Sequence, residues 1–103
     1  IKRVSFHNTG KDQQIGLIAM SIEASTHQGE PAKYLDQSTS GIVVIFNTNT
    51  AGKTVNFENA EHYKLHPIQL NGIDEIVKQS TSKLNSFYVP ALTTSVFIKS
   101  ASL

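Results

Sequence analysis

The sequence has no cysteine and no tryptophan, only one methionine and three prolines, and no excess of either charge. Without cysteine there is neither a disulfide framework nor a thiolate zinc site, and the redox compartment stays undefined. Nine Lys and Arg stand against eight Asp and Glu, and the basic residues are scattered from Lys2 to Lys99 without a cluster. Nucleic acid and anionic membrane surfaces call for a concentrated basic patch, so neither partner is expected. No apolar run approaches the roughly 18 residues of a membrane-spanning helix. The opening Ile1-Lys2-Arg3-Val4 also lacks the apolar stretch of a signal peptide. The compartment is not readable from these features, although a secreted or cell-surface bacterial setting is preferred.

What is present is a chain of 103 residues, the common size of one domain with its own core. A single domain over residues 1–103 is expected, without a linker. Its first residue is Ile1 rather than Met, which suits a piece cut from a longer polypeptide. The chain is organised around Gly41-Ile42-Val43-Val44-Ile45-Phe46-Asn47, where five large apolar residues run together. Such a short, mostly β-branched run bounded by Gly and Asn reads as a central strand with both faces covered.

Around it, Val4 and Phe6 alternate with polar residues, so the opening is a strand that buries one face. In Gly16 to Glu23, Ile18, Met20 and Ile22 share a side that should face the core. The polar stretch Ala24 to Ser40 reads as a long loop. Asn49-Thr50-Ala51-Gly52 turns the chain into Lys53 to Phe57 as a hairpin, with Val55 and Phe57 on one face. Tyr63 to Leu70 has strand composition, but Pro67 confines it to an edge or a bulge. Ile73 to Gln79 fits one helical turn or an irregular connection. Ser86 to Val89 and Thr93 to Lys99 are joined through Pro90-Ala91-Leu92. In the last segment Thr94, Val96 and Ile98 share one side and Ser95, Phe97 and Lys99 the other. Seven to eight short strands with almost no helical periodicity point to an all-β, antiparallel, Greek-key-like β-sandwich. A partly open barrel is the alternative.

Chemistry is sparse. Glycoside hydrolysis needs two carboxyl groups about 5 Å or about 6.5 to 9.5 Å apart on rigid elements. Asp12, Glu23, Glu30, Asp36, Glu58, Glu61, Asp74 and Glu75 fall instead in turns, loops or strand ends and read as solvated charges. His62 and His66 have the spacing of paired zinc ligands on a helix, but in an extended segment they stand about 13 Å apart. His7 and His27 have no evident partner. No Gly-x-Ser-x-Gly elbow, phosphate-cradling glycine loop or dinucleotide fingerprint occurs. No catalytic residue, metal site or cofactor is therefore expected. Tyr34, Tyr63 and Tyr88 offer aromatic planes on which sugar rings stack, weighed against core packing with the phenol tip at the rim.

Phe6-His7-Asn8-Thr9-Gly10 and Gln14-Ile15-Gly16-Leu17-Ile18-Ala19-Met20-Ser21-Ile22 carry a resemblance. It continues through Gly41 to Asn47, Leu65-His66-Pro67-Ile68-Gln69 and Val89-Pro90-Ala91-Leu92-Thr93-Thr94-Ser95-Val96-Phe97. Together these blocks resemble the C-terminal domain of pullulanase-type starch-debranching enzymes of the alpha-amylase superfamily. The resemblance implies a β-sandwich packed against a preceding (β/α)-barrel that holds the catalytic acids, none of which maps onto this sequence. The parent reaction it implies is retaining hydrolysis of α-1,6 bonds in pullulan, glycogen or amylopectin. The chain's partner would be that barrel, and its work to cover the barrel's apolar surface. A sandwich built to dock keeps an apolar patch on one outer face, expected here at Val43, Ile45 and Phe97. The alternative is a stand-alone α-glucan-binding module using Tyr34, Tyr63 and Tyr88. An immunoglobulin-like adhesion domain fits the strand pattern but leaves the family blocks unexplained.

Overall fold

The computed structural model describes residues 2–11, 13–24 and 39–100. Eight antiparallel strands form among them: β1 (Lys2–His7), β2 (Leu17–Ala24), β3 (Thr39–Asn47), β4 (Lys53–Asn56), β5 (Lys64–Leu65), β6 (Thr81–Lys83), β7 (Ser86–Val89) and β8 (Thr93–Ser100). They make two sheets of unequal width, β1-β2-β3-β8-β5 and β4-β7-β6. The all-β sandwich is thus as expected. β3 and β8, distant in sequence, are neighbours because the chain visits the second sheet between them.

β3 is central, but only one of its faces is fully covered. Val43 and Ile45 are buried between the sheets, whereas Ile42 and Val44 are half-buried and Phe46 is exposed. The expectation of a strand covered on both sides is corrected accordingly. The register explains the split. Ser5, Ser21, Val43, Phe97 and Leu65 lie side by side across the first sheet and point inward, as do His7, Ala19, Ile45 and Ser95 in the next inward row. Directly opposed residues share a face, and a strand changes face at every residue. Val4, Phe6, Ile18, Met20 and Ile22 are therefore committed to the outside.

Burial of Ile18, Met20 and Ile22 in the core is likewise overturned, as is that of Val4 and Phe6. Leu17, Ala19 and Ser21 are the buried residues of β2. Their side chains are mostly small because the space beneath them is filled by rings. Phe87 stacks obliquely on Phe97 with centroids 4.3 Å apart, and Phe57 meets Tyr63 and His7 edge-on at 5.6 and 4.9 Å. Val55, Phe87 and Val89 close the core from the second sheet.

Connections differ from the sequence reading in three places. The link 48–52 carries the chain from one sheet to the other and makes no hairpin, since β4 pairs with β7. Pro67 is not in a strand; it sits in the first turn of a short helix, α1 (Pro67–Leu70), where its missing N–H costs nothing. His66 caps that turn, its Nδ1 accepting from the Ile68 N–H at 3.1 Å. Between Ile73 and Gln79 the open choice resolves as a 3-10 turn over Val77–Gln79. The loop expected over Ala24 to Ser40 lies mostly outside the described residues.

Two asparagines hold the loops. Asn8, at φ +55°, gives its amide N–H groups to the carbonyls of Gln14 and Leu17 at 2.9 and 2.7 Å and accepts from the Gln14 N–H at 2.7 Å. Asn47 is buried where the two inter-sheet connections meet. Its amide nitrogen lies 3.1, 3.2 and 2.9 Å from the carbonyls of Ala51, Val89 and Pro90, two hydrogens shared among three acceptors. Its Oδ1 accepts from the Asn49 N–H at 3.0 Å. Gly16 is required nearby, having φ +76° and standing where a Cβ would meet the Thr48 hydroxyl at 2.9 Å.

Candidate functional site: an apolar docking face

The outward residues of the first sheet align in three rows. Val4, Ile22, Ile42 and Ile98 form the first, with Lys64 of the edge strand at its end, Phe6, Met20, Val44 and Val96 the second, and Ile18, Phe46 and Thr94 the third. All but Lys64 and Thr94 are apolar. Strand spacing of about 4.8 Å and a two-residue repeat of about 6.7 Å give this array a Cα footprint of roughly 14 by 13 Å. The side chains extend it on every side. Phe6 stands 62 % exposed on it, and Val4 and Ile18 are each more than half exposed. The second sheet is the opposite case, since Thr54, Tyr88, Thr81 and Lys83 carry its outward side. One outer face is oily and the other wet.

This corrects the expected docking residues. Val43, Ile45 and Phe97 are 0 % exposed and belong to the sandwich core. The error is one of phase: a strand apolar on both faces does not show in its sequence pattern which set points in. The signal was nonetheless present in the unbroken Ile42 to Phe46 run and in the clean alternation of β2.

Of the three tyrosines, Tyr34 lies outside the described residues. Tyr63 is 3 % exposed in the core and offers no plane to a sugar. Its hydroxyl has no hydrogen-bond partner among the described residues. Burial, with the Glu23 charge adding to it, pushes the Tyr63 pKa up to about 12. Lys99 lies over its ring at 5.5 Å and pairs loosely with Glu23 at 3.6 Å. Tyr88 is 37 % exposed on the wet face.

The remaining polar residues have local partners. His7 Nε2 lies 2.8 Å from Ser21 Oγ, the spacing of a nucleophile and its base, but Ser21 is buried on the core side of β2 where no substrate reaches it. Burial lowers the His7 pKa, with Glu23 partly opposing. Asp74 accepts from the N–H groups of Ile76 and Val77 at 2.9 and 3.3 Å, and Glu75 pairs with Lys78 at 2.8 Å. Glu61 lies 3.9 Å from His62. Glu23 and Glu58 border an open polar hollow beside His7. Asp12, Glu30, Asp36 and His27 lie outside the described residues. Among the described residues no group of three or more His, Asp and Glu is arranged to hold a metal ion.

The comparisons with known proteins agree with this geometry. Residues 1–100 match the family model for alpha-1,6-glucosidases, pullulanase-type, C-terminal. The chain is 43 % identical over 104 residues to pullulanase 1, chloroplastic, of Arabidopsis thaliana, covering 96 % of this chain and 11 % of that protein. The crystal structure of apo pullulanase from Klebsiella pneumoniae superposes with a TM-score of 0.82 at 31 % identity, over 98 % of this chain and 11 % of that one. PulA from Klebsiella oxytoca gives 0.82 at 29 % identity, with 98 % and 10 % covered. The chain thus spans about a tenth of the length of these relatives. It belongs to the family of C-terminal domains of pullulanase-type alpha-1,6-glucosidases.

Proposed function

We propose that this chain is the non-catalytic C-terminal domain of a starch-debranching enzyme, docked through the outer face of its five-stranded sheet on the catalytic (β/α)-barrel of the same polypeptide. The parent would hydrolyse α-1,6-glucosidic bonds in pullulan, glycogen or amylopectin, with nucleophile and acid both supplied by the barrel. The observation that carries the reading is the contrast between the two outer faces, three apolar rows on one sheet against a polar surface on the other. Contiguous exposed apolar patches of this kind mark contact surfaces. A barrel of this class turns its helices outward, so a helix surface is available to meet the sheet.

The test is Val44→Asp in the full-length polypeptide. A carboxylate in the middle row of the face should speed thermal inactivation of pullulan hydrolysis several-fold, while the KM for pullulan stays unchanged. Unchanged inactivation rates would refute the docking reading. A second reading, an α-glucan-binding module, now rests on the half-exposed Tyr88. Retardation of the chain in an amylopectin gel, abolished by Tyr88→Ala, would favour it.

A further inference from the structure

We infer that the docking contact continues past the sheet onto the loops at its end, with Leu92 as the side chain that anchors it. The inference rests on the proposed docking to the catalytic domain of the same polypeptide and takes that domain as its occupant.

Four non-glycine residues among those described have positive φ, namely Asn8, Asn59, Asn85 and Leu92. Asparagine suits the left-handed region because its short amide bonds locally, whereas leucine is disfavoured there by its Cβ and branched side chain. At three of the four positions the residue is the one the backbone prefers. At Leu92, φ +52°, it is not. The backbone there is fixed by the Leu92 N–H donating to the Asn49 carbonyl at 2.9 Å. Among the described residues little packing repays the leucine, because its side chain is 68 % exposed. Strained residues persist where the strain has a use, and here the use is to hold an apolar side chain outward on a fixed turn.

The surroundings show what it is aimed at. Leu92, Phe46 and Thr94 border a shallow hollow of about 220 Å³. On the other side of Thr48, Ile15 and Ile18 border a second of about 350 Å³. Both Ile15 and Leu92 are exposed large apolar side chains. Ile18, Phe46 and Thr94 are also the third row of the sheet face, so the loop cluster and the face are one continuous surface. A single occupant lying on the rows therefore meets Leu92 and Ile15 as well. The nine-tenths of the relatives' length that this chain does not span is ample to supply it.

Because the chain has no cysteine of its own, single cysteines introduced into the full-length polypeptide report contact through maleimide labelling, read by peptide mapping. Leu92→Cys and Ile15→Cys should label at least about tenfold more slowly than Thr81→Cys on the wet face of the other sheet, as expected for sites uncovered only by local opening. Leu92→Cys reacting as fast as Thr81→Cys overturns the inference. Ile18→Cys separates the two claims. If Ile18→Cys is protected while Leu92→Cys is open, the contact stops at the sheet. If Ile18→Cys is open as well, the docking reading has failed with it. Leu92→Gly gives a second readout that does not depend on labelling. Glycine fits φ +52° better, so a residue serving only the turn would leave the unfolding midpoint unchanged or raise it. The anchor role requires the midpoint to fall.

Discussion

Tyr63 packs closely on the backbone at Gly41. A Cβ on Gly41 would lie 2.8 Å from the Tyr63 hydroxyl, an atom that has no hydrogen-bond partner among the described residues. An unsatisfied buried hydroxyl costs about 1 to 3 kcal/mol, so Tyr63→Phe should leave stability unchanged or raise it. Gly41→Ala should destabilise by about 1 to 3 kcal/mol through overpacking. Because the contact is with the hydroxyl oxygen, most of that cost should vanish in the Tyr63→Phe background, and a double-mutant cycle by chemical denaturation measures the coupling. The same phenol sets an alkaline limit. Its folded pKa of about 12 lies above the ordinary value of 10.0, so above pH 10 the unfolded chain loses its proton first. Stability from this group is full below pH 10 and falls as pH rises from 10 towards 12, by about 2 to 3 kcal/mol at most. Denaturation midpoints at pH 9 and pH 11.5 should show the fall, and Tyr63→Phe should remove it.

At the scale of the strands and their connections, the most consequential group is Asn47, which ties the link after β3 to the link before β8. Asn47→Ala removes the side-chain donor shared by the carbonyls of Ala51, Val89 and Pro90 and should cost about 2 to 4 kcal/mol. Asn47→Asp should cost no less, since a carboxylate faces the same carbonyls with no N–H to offer, and the midpoint of urea unfolding measures both. Legibility was good at this level for existence and poor for pairing. The strands at Ile42 to Phe46, Ser86 to Val89 and Thr93 to Lys99 follow from β-branched and aromatic alternation. The crossover after β3 was mistaken for a hairpin because its Asn and Gly content serves either a tight turn or a passage between sheets. The phase of β2 was misread because Ile18, Met20 and Ile22 are the larger residues, and size normally means core. In a domain that keeps a second apolar surface, size stops distinguishing inside from outside. Leu92 was invisible for another reason, since its backbone angle depends on both inter-sheet links meeting at Asn49.

At the scale of the whole molecule, one oily face stands beside described residues that assemble no catalytic or metal-binding group. The described acids pair with neighbouring cations, accept backbone N–H groups or face solvent, and the Ser21 hydroxyl beside His7 is sealed in the core. Among the described residues, what the sandwich presents is an apolar surface. That an apolar outer face would exist was readable once the family blocks were recognised, although the residues first chosen for it were those of the opposite face.

The inequality of the two sheets has its own consequence. Three strands cannot roof five, and the overhang falls on β1, whose inward Ser5 and His7 are only half-buried and whose outward Val4 and Phe6 are largely bare. Among the described residues β1 is also a sheet edge, bonded along one side only. Its amides should trade hydrogen for deuterium well before those of β3 and β8, by a factor of about a hundred or more in native buffer. Equal protection across the three strands would contradict this. The first strand would then act as a hem that lifts and resettles while the rest of the fabric stays woven, and a neighbouring domain pressed against Phe6 would stitch it down.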